Sequence, residues 1–356
     1  MKRTIAISVE QLYRPQPGGI ATYVRGLISG LAELRDESLD VIGFAPRGAP
    51  REALPLRTEH AHVSVNVLTR LWPFWPLGVP RNADVVHATS MAGPFAGGAR
   101  AAVHSVSMHD LLWRDEPSSS TRAGIAFHDH RLKLIASREE LRVIVTSPSL
   151  VDRLTAVGID AARVHAVRLG VDDPGESDSR ASVSALLAEH GVRGPFTLYV
   201  GTREPRKNLE RLLEAHRQAR SVNAEVGELV LVGPSGWGGV ATGDATVLGS
   251  VPRAALNGLY RDATVVAYVP RAEGWGLPPV EALHAGARVV ASSTTPSVER
   301  NGEVIRVDPL DVNAIAQGLL LALTQSDDDE SRARRRASVA DLTWRNVALD
   351  HLVAWR

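Results

Sequence analysis

Glu273 and Glu281 stand eight positions apart and enclose Gly274-Trp275-Gly276-Leu277-Pro278-Pro279-Val280. Glycine and proline at this density break any single helix, whereas a proline pair suits a helix's first turn. The spacing therefore predicts a loop carrying Glu273 and a helix, running on through Val280, Leu283 and His284, that carries Glu281 in its first turn. Both follow the apolar run 265–269, so the two carboxylates can converge on one crevice at the carboxyl end of a sheet. A carboxylate accepts hydrogen bonds from two vicinal hydroxyls, the pattern that a sugar and a ribose present. The plainer alternative leaves Glu273 in solvent and gives Glu281 only a favourable place near the helix dipole.

Two further stretches carry chemistry. Glu204-Pro205-Arg206-Lys207-Asn208 sets two cations at the start of a predicted helix, where the dipole opposes them. A diphosphate held by Arg206, Lys207 and the free N–H groups of the turn would relieve that conflict; two exposed surface cations are the alternative. Gly18-Gly19 opens another helix and leaves bare backbone for an anion such as phosphate, although a tight strand-to-helix turn also calls for glycine. A G-x-G-x-x-G fingerprint is absent at this turn, and no acidic residue at the end of a clear second strand completes one, which counts against a nicotinamide enzyme.

The elements that must position these residues alternate short apolar strands with longer helical segments, the pattern of α/β folds built on parallel sheets. Strands are expected at 4–9, 41–45, 63–68, 84–87, 102–107, 142–146 and 164–167, then at 197–200, 229–232, 246–249, 264–269, 289–291 and 304–307. Ile20, Tyr23, Val24, Leu27, Ile28, Leu31 and Leu34 form one apolar helical stripe, and Leu209, Leu212, Leu213 and Ala215 begin another. Each half thus opens strand, glycine turn, helix. The stretch 170–180, rich in Gly, Asp, Ser and Pro, is the best linker. It divides the chain into domains 1–170 and 171–340, with a closing segment 341–356.

At 356 residues two domains are more natural than one core. Lys plus Arg equals Asp plus Glu at 40 each, so no global basic field calls for nucleic acid, and a small molecule is the expected partner. The absence of cysteine excludes disulfides, thiolate metal sites and cysteine nucleophiles. The apolar start ends at Glu10, too short for a secretory core, and reads as a buried strand. No run approaches membrane-span length, so the expected place is the cytoplasm, with membrane contact only peripheral, at the inner face.

Three features invite overreading. His128-Asp129-His130 has a metal-like look, but residues two apart on a helix face different ways, so a surface or hinge role is expected. The runs 326–330 and 332–336, acidic then basic, read as a solvated face. The stretch 70–80, with Trp72, Phe74 and Trp75, reads as a core element packed under the domain, a lipid surface being the alternative.

Taken with the other motifs, 273–281 resembles the Glu, seven residues, Glu signature of retaining glycosyltransferases of family 4, which have the GT-B fold. Gly18-Gly19-Ile20, Asp84-Val85-Val86-His87, His109-Asp110-Leu111, Val200-Gly201-Thr202, Pro205-Arg206-Lys207-Asn208, Leu231-Val232-Gly233-Pro234 and Leu248-Gly249-Ser250-Val251-Pro252 fall in the family's order. The resemblance runs from about residue 15 to 310, and the tail around Trp344 resembles a closing helix that crosses back to the N-terminal domain. Two positions depart from the pattern: Pro270-Arg271 where Pro-Ser is usual, and Gly286-Ala287-Arg288 where Gly-x-Pro is usual.

The resemblance implies two Rossmann-like domains facing a cleft, the first binding acceptor and the second nucleotide sugar. It implies that Glu281 binds the donor's ribose and Glu273 its sugar, with the amides of Trp275, Gly276 and Leu277, and the bare backbone at Gly274, close to sugar and phosphate. Arg206 and Lys207 would neutralise the diphosphate, assisted by the amides of Gly18 and Gly19. The turn at Gly201 belongs to the same donor site, the base would lie near Gly233 and Val251, and His109 would face the donor sugar. Cleaving a nucleotide sugar builds negative charge on the departing phosphate, so holding that charge is the main catalytic task. Front-face attack, with the leaving phosphate taking the acceptor's proton, needs no dedicated nucleophile. No cofactor is expected and no metal, since the Asp-x-Asp spacing, Asp327 and Asp329, falls in the acidic run.

The second half most resembles bacterial mannosyltransferases of polysaccharide assembly, making GDP-mannose the leading donor and a UDP-sugar the next. A glycan or lipid-linked saccharide is the expected acceptor. A phosphorylase would need a lysine for pyridoxal phosphate, and an epimerase lacks this spacing of glutamates. A non-catalytic sugar-nucleotide-binding subunit would be expected to have lost Arg206, Lys207 or Glu273.

Overall fold

The computed structural model describes residues 2–14, 18–49, 54–95, 103–172 and 178–356. The chain divides into two compact units, Met1–Gly170 with Leu342–Arg356, and Val171–Asp341. The first carries a sheet of seven strands: β1 (Arg3–Ser8), β2 (Leu39–Ala45), β3 (Arg57–His60), β4 (Val85–Ala88), β5 (Val103–Met108), β6 (Arg142–Val145) and β7 (Val164–Ala166). Their spatial order is β3-β2-β1-β4-β5-β6-β7. The second carries six: β8 (Phe196–Val200), β9 (Glu228–Val232), β10 (Thr246–Gly249), β11 (Val265–Tyr268), β12 (Val289–Ser292) and β13 (Val304–Val307), in the order β10-β9-β8-β11-β12-β13.

Both sheets are parallel, and in each the strand order reverses beside the first strand. Ile5 of β1 stands between Val41 and Val85, and Leu198 of β8 between Val230 and Val266. Such switch points leave a crevice at the carboxyl ends of the two diverging strands. Strands covered on both faces read as continuous apolar runs, which is why β8, β11 and β12 are legible as Phe-Thr-Leu-Tyr-Val, Val-Val-Ala-Tyr and Val-Val-Ala-Ser. Leu209, Leu212, Ala215 and Ala219 of the helix Leu209–Val222 pack with Ile315 and Leu319 against Leu229, Leu231 and Ala267. Each fully buried leucine there contributes roughly 1.5–3 kcal/mol.

In the first unit the helix Gly19–Glu33 buries Tyr23, Val24, Leu27, Ile28 and Leu31, with Ile20 and Leu34 half-buried. The closing helix Trp344–Ala354 lies against it. Gly26 and Gly30 permit that closeness, because a Cβ on Gly26 would run into the Trp344 ring and one on Gly30 into the Trp344 carbonyl. Arg3 and Arg142 donate at 2.5 Å each to the carbonyls of Trp355 and Ala354, which end the helix.

The structure corrects several expectations. Residues 63–68 are not a strand: Val65–Leu71 is a helix, because Leu68 and the following Trp72 share one helical face and sink into a cluster with Phe44. The strand in this region is β3, an exposed, charged edge whose Arg57 lies 3.5 Å from Glu59 and which lacks an apolar signal. Of the three aromatic residues in 70–80 only Trp72 is core, packed in one cluster with Val79 and donating its indole N–H to Leu77 O at 2.8 Å; Phe74 and Trp75 are 50% and 58% exposed. The basic run is not wholly solvated. Arg335 is buried and donates to Gly286 O at 2.8 Å, Ser326 O at 3.1 Å and Asp327 Oδ1 at 2.6 Å, pinning its helix to the body of the unit. Ala102 and the middle of the expected linker, 173–177, lie outside the described residues.

Candidate functional site

The second unit's switch point brings the turn after β8 beside the loop after β11. The turn Pro205–Lys207 ends at Asn208, which takes a left-handed φ of 63°. Asn208 Nδ2 donates to Val269 O at 2.9 Å and Pro309 O at 2.7 Å, and the Arg271 amide donates to Arg206 O at 2.9 Å, so the two segments are tied together. Glu273 Oε2 then accepts from Lys207 Nζ, from Arg206 Nη1 at 3.1 Å and from Tyr268 Oη at 2.6 Å. Lys207 Nζ also donates to Tyr268 Oη at 2.7 Å and lies 4.9 Å from the centre of its ring. Arg206 and Lys207 do oppose a helix dipole, and in this structure the anions that answer them are Glu273 and, for Arg206, also Glu204 at 3.4 Å.

Electrostatics follow from that packing. Burial alone pushes the Glu273 carboxyl up, but the charges of Lys207 and Arg206, with hydrogen bonds from Lys207 and Tyr268, outweigh it and hold the group at about 2. Burial pulls the Lys207 ammonium below its usual value despite Glu273, and burial pushes the Tyr268 phenol up. Three sequence-expected residues, Arg206, Lys207 and Glu273, thus form one low-dielectric charged cluster.

Glu281 belongs to the helix Leu277–His284 but lies in its second turn, not its first, because Leu277, Pro278 and Pro279 occupy the start. Arg253 Nη1 and Tyr260 Oη each donate to it at 2.8 Å, one to each oxygen. The loop between the glutamates is held from behind: the Ser297 hydroxyl donates to Gly276 O at 2.6 Å and the Ser297 amide to Trp275 O at 3.0 Å. Gly276 has φ of 92°, and a Cβ there would meet Thr295 Cγ2 at 2.6 Å, so only glycine fits. The amides of Trp275, Gly276 and Leu277 find no acceptor among the described residues, and the buried Trp275 indole N–H and Thr295 hydroxyl have none either. Gly274 donates its amide to Glu273 Oε1 at 3.2 Å. Gly201 and Gly233 mark where β8 and β9 end in contact: a Cβ on Gly233 would strike the Gly201 carbonyl. Val251 is half-buried in the loop between β10 and the helix Arg253–Asp262.

The first unit holds the remaining expected residues. Gly18 and Gly19 are exposed, neither has positive φ, and a Cβ on either meets nothing within 4 Å. The described backbone therefore does not itself demand glycine there. His109 follows β5, donates Nε2–H to Thr89 O at 2.9 Å and stands edge-on to the Tyr23 ring at 4.8 Å. Burial lowers its pKa, against the opposing influence of the Thr89 carbonyl and Asp110. It lines a cavity of about 230 Å³ with Gln11, Ser90, Ser107 and Trp113. His128 stacks on Trp113 at 4.9 Å and Asp129 accepts from the Trp113 indole at 3.0 Å, while His130 is exposed. Among the described residues no group of three or more His, Cys, Asp or Glu could hold a metal ion, and no helix is long and apolar enough to cross a membrane.

Behind His109 runs a directed chain of hydrogen bonds that sequence reading missed. His351 Nδ1–H donates to Val347 O at 2.8 Å, which leaves Nε2 to accept from the Tyr23 hydroxyl at 2.8 Å. Tyr23 in turn accepts from His87 Nε2–H at 2.8 Å, and His87 Nδ1 accepts from Ser105, whose oxygen takes the Trp355 indole N–H at 2.9 Å. Also missed were Tyr268, Tyr260 and Arg253, which reach the glutamates from other elements. The two tyrosines carry one sequence signal, a tyrosine near the end of an apolar strand or helix, where a buried hydroxyl needs a partner.

Two α/β units, each built on a parallel sheet with a switch point beside its first strand, match the GT-B class of fold. Sucrose-phosphate synthase from Thermosynechococcus elongatus matches with a TM-score of 0.74 at 21% identity, over 100% of this chain and 98% of that one. The Anabaena protein HepE, solved in complex with UDP and glucose, matches at 0.71 and 15% identity, over 99% and 98%. The sequence adds the family: residues 18–170 match the Glycosyl transferase 4-like domain and residues 194–325 match Glycosyl transferases group 1. This chain belongs to the family 4 glycosyltransferases. It is 33% identical over 173 residues to O-antigen chain mannosyltransferase B of Escherichia coli; that match covers 45% of this chain and spans 45%, less than half, of the relative's length.

Proposed function

We propose that the protein transfers a hexose, mannose from GDP-mannose in the first instance, to a glycan or lipid-linked saccharide in cell-envelope polysaccharide assembly, with retention and without a metal or other cofactor. The observation that carries this reading is the Lys207–Glu273–Arg206 cluster beside the free amides of Trp275, Gly276 and Leu277. Such a site offers a carboxylate to sugar hydroxyls and, within a few ångströms, cations and N–H groups to a departing diphosphate. Arg206 and Lys207 take the leaving charge, Glu273 orients the sugar, and Glu281, steadied by Tyr260, accepts the ribose hydroxyls. Gly201, Gly233 and Val251 border the base. Unit 171–341 binds donor, and the N-terminal unit binds acceptor and contributes His109 and the amides of Gly18 and Gly19. Work takes place at the cytoplasmic face.

The mannosyltransferase relative supports mannose as the sugar. The fold does not choose the base, since HepE shares it and was solved with UDP, so a UDP-sugar is the second reading. The test offers purified protein a panel of GDP- and UDP-sugars with a mannoside acceptor, with and without EDTA, and reads the new anomeric centre by NMR. Transfer from GDP-mannose, unaffected by EDTA and giving an α-linked product, is expected. Failure to bind any nucleotide sugar overturns the reading, and abolition by EDTA overturns its metal-free part.

A further inference from the structure

A second cavity of the first unit is untouched by any motif. It measures about 730 Å³ and opens at the carboxyl ends of β1 and β2, where the parallel sheet offers a crevice. Its lining includes the polar residues Glu10, Tyr13, Arg14, Arg47 and Arg70, together with Phe127. Arg14 and Phe127 also line the cavity that holds His109, so the two spaces share a wall.

Glu10 is the feature that needs explaining. It is 1% exposed, and its Oε1 accepts from Gln11 Nε2 at 3.1 Å and from Ser90 Oγ at 3.3 Å. Its Oε2 is buried with no hydrogen-bond partner. A buried carboxylate oxygen left bare costs free energy unless a ligand supplies a donor. Meanwhile Arg14, Arg47 and Arg70 are exposed at the same cavity and make no side-chain hydrogen bond or ion pair among the described residues. Hydroxyl donors suit Glu10, an anion suits the arginines, and Tyr13 and Phe127 supply faces against which a sugar ring can lie.

We infer that this cavity is an acceptor subsite for a saccharide bearing a phosphate group, Glu10 taking ring hydroxyls and the arginines the phosphate. The inference rests on the proposal that the first unit binds acceptor, and it adds the acceptor's charge and its place. The hydroxyl to be glycosylated would then reach across the Arg14 and Phe127 wall toward His109.

The test uses the full chain and titration calorimetry with methyl α-mannoside, mannose 6-phosphate, decyl mannosyl phosphate and inorganic phosphate. The phosphorylated sugars are expected to bind about tenfold more tightly than methyl α-mannoside, as charge-assisted bonds to arginine imply. A preference for mannose 6-phosphate assigns the site to a free monoester, and one for the decyl phosphodiester to a lipid-linked end. Arg47→Ala with Arg70→Ala should bring the preference close to one. Glu10→Gln should weaken both mannose phosphate and methyl α-mannoside by about fivefold while leaving inorganic phosphate unchanged. Equal affinity for charged and uncharged sugars, or a preference that survives loss of Arg47 and Arg70, overturns the inference. GDP and UDP titrations on the same samples keep the two readings apart. Nucleotide binding without phosphate preference sinks only this inference, and the converse sinks only the transferase reading.

Discussion

The two units solve the same problem, a polar centre at a switch point, with opposite electrostatics. In the second, Lys207 and Arg206 are balanced by Glu273 and Glu204 inside a shell that includes Tyr268. In the first, Tyr23, His87, His351 and Ser105 form a neutral relay in which each donor has one assigned acceptor. A charged cluster can answer charge that develops during a reaction. A neutral relay cannot, but it fixes geometry, and here it joins the closing helix to the strands that carry His109. The difference teaches where work on a ligand is expected and where support is.

The largest effect should come from removing charge where charge is the design. Glu273→Gln keeps the shape but leaves Lys207 and Arg206 facing each other in a buried site. A loss of about 3–5 kcal/mol in urea unfolding is expected, as for other broken buried pairs, together with a fall of roughly 10²–10³-fold in transfer rate. Adding Lys207→Met should return much of the stability and none of the activity. A single variant within about 1 kcal/mol of the parent would show that water already screens the cluster.

The next effect is pH dependence, which has one sign in both units and separates them by window. His351, buried as a neutral imidazole, is lowered by burial to about 4 from an ordinary 6.5. Its folded pKa lies below its unfolded one, so the unfolded chain binds more protons and the first unit loses stability as pH falls from 6.5 to about 4. The shift corresponds to about 3 kcal/mol, and His87, lowered well below its usual value by burial, adds to it. Glu273 is the depressed carboxylate: its stabilisation is full above 4.5 and is lost as pH falls toward about 2. Amide exchange followed by mass spectrometry at pH 7, 5.5 and 4.5 should therefore show the helix Trp344–Ala354 loosening while Leu209–Val222 holds. His351→Gln should flatten the first response. Simultaneous loosening of both helices would break the contrast.

The charged centre was more legible in the sequence than the neutral one, for a physical reason. Arg206, Lys207 and Glu273 sit in glycine- and proline-marked turns, and turn chemistry is local, so spacing alone exposes them. Strands such as Val265–Tyr268 announced themselves because burial on both faces makes a run apolar. Tyr23 and His351 lie 328 positions apart and look like ordinary helix residues; only the strand order and the close approach at Gly26 and Gly30 bring them together. Glu10 read only as the end of the apolar start for the same reason, since Ser90, which donates to it, lies 80 positions on. The edge strand Arg57–His60 carried no signal because an edge is allowed to be polar, and Val63, Val65 and Val67 imitated a strand's alternation on what is largely a helix.

The smallest of the three effects is also the sharpest probe of the relay. Tyr23→Phe removes a hydroxyl that meets His87, Ser107 and His351 at 2.8 Å each. Three groups lose a partner, the His87 N–H, the Ser107 O–H and the His351 lone pair, but Ser107 Oγ already stands 3.3 Å from His87 Nε2 and can take its N–H, and the serine hydroxyl is free to rotate. One buried acceptor remains unpaired, worth about 1–3 kcal/mol, less than the charged pair loses because no ion is left behind. Added to that background, His351→Leu should cost little more, since the orphan goes with it, whereas the same substitution in the parent should cost the full amount. A double-mutant cycle on urea midpoints reads the coupling. Additive losses would mean that Tyr23 and His351 are neighbours without being partners, and the first unit's centre would then be a packed core and not a relay.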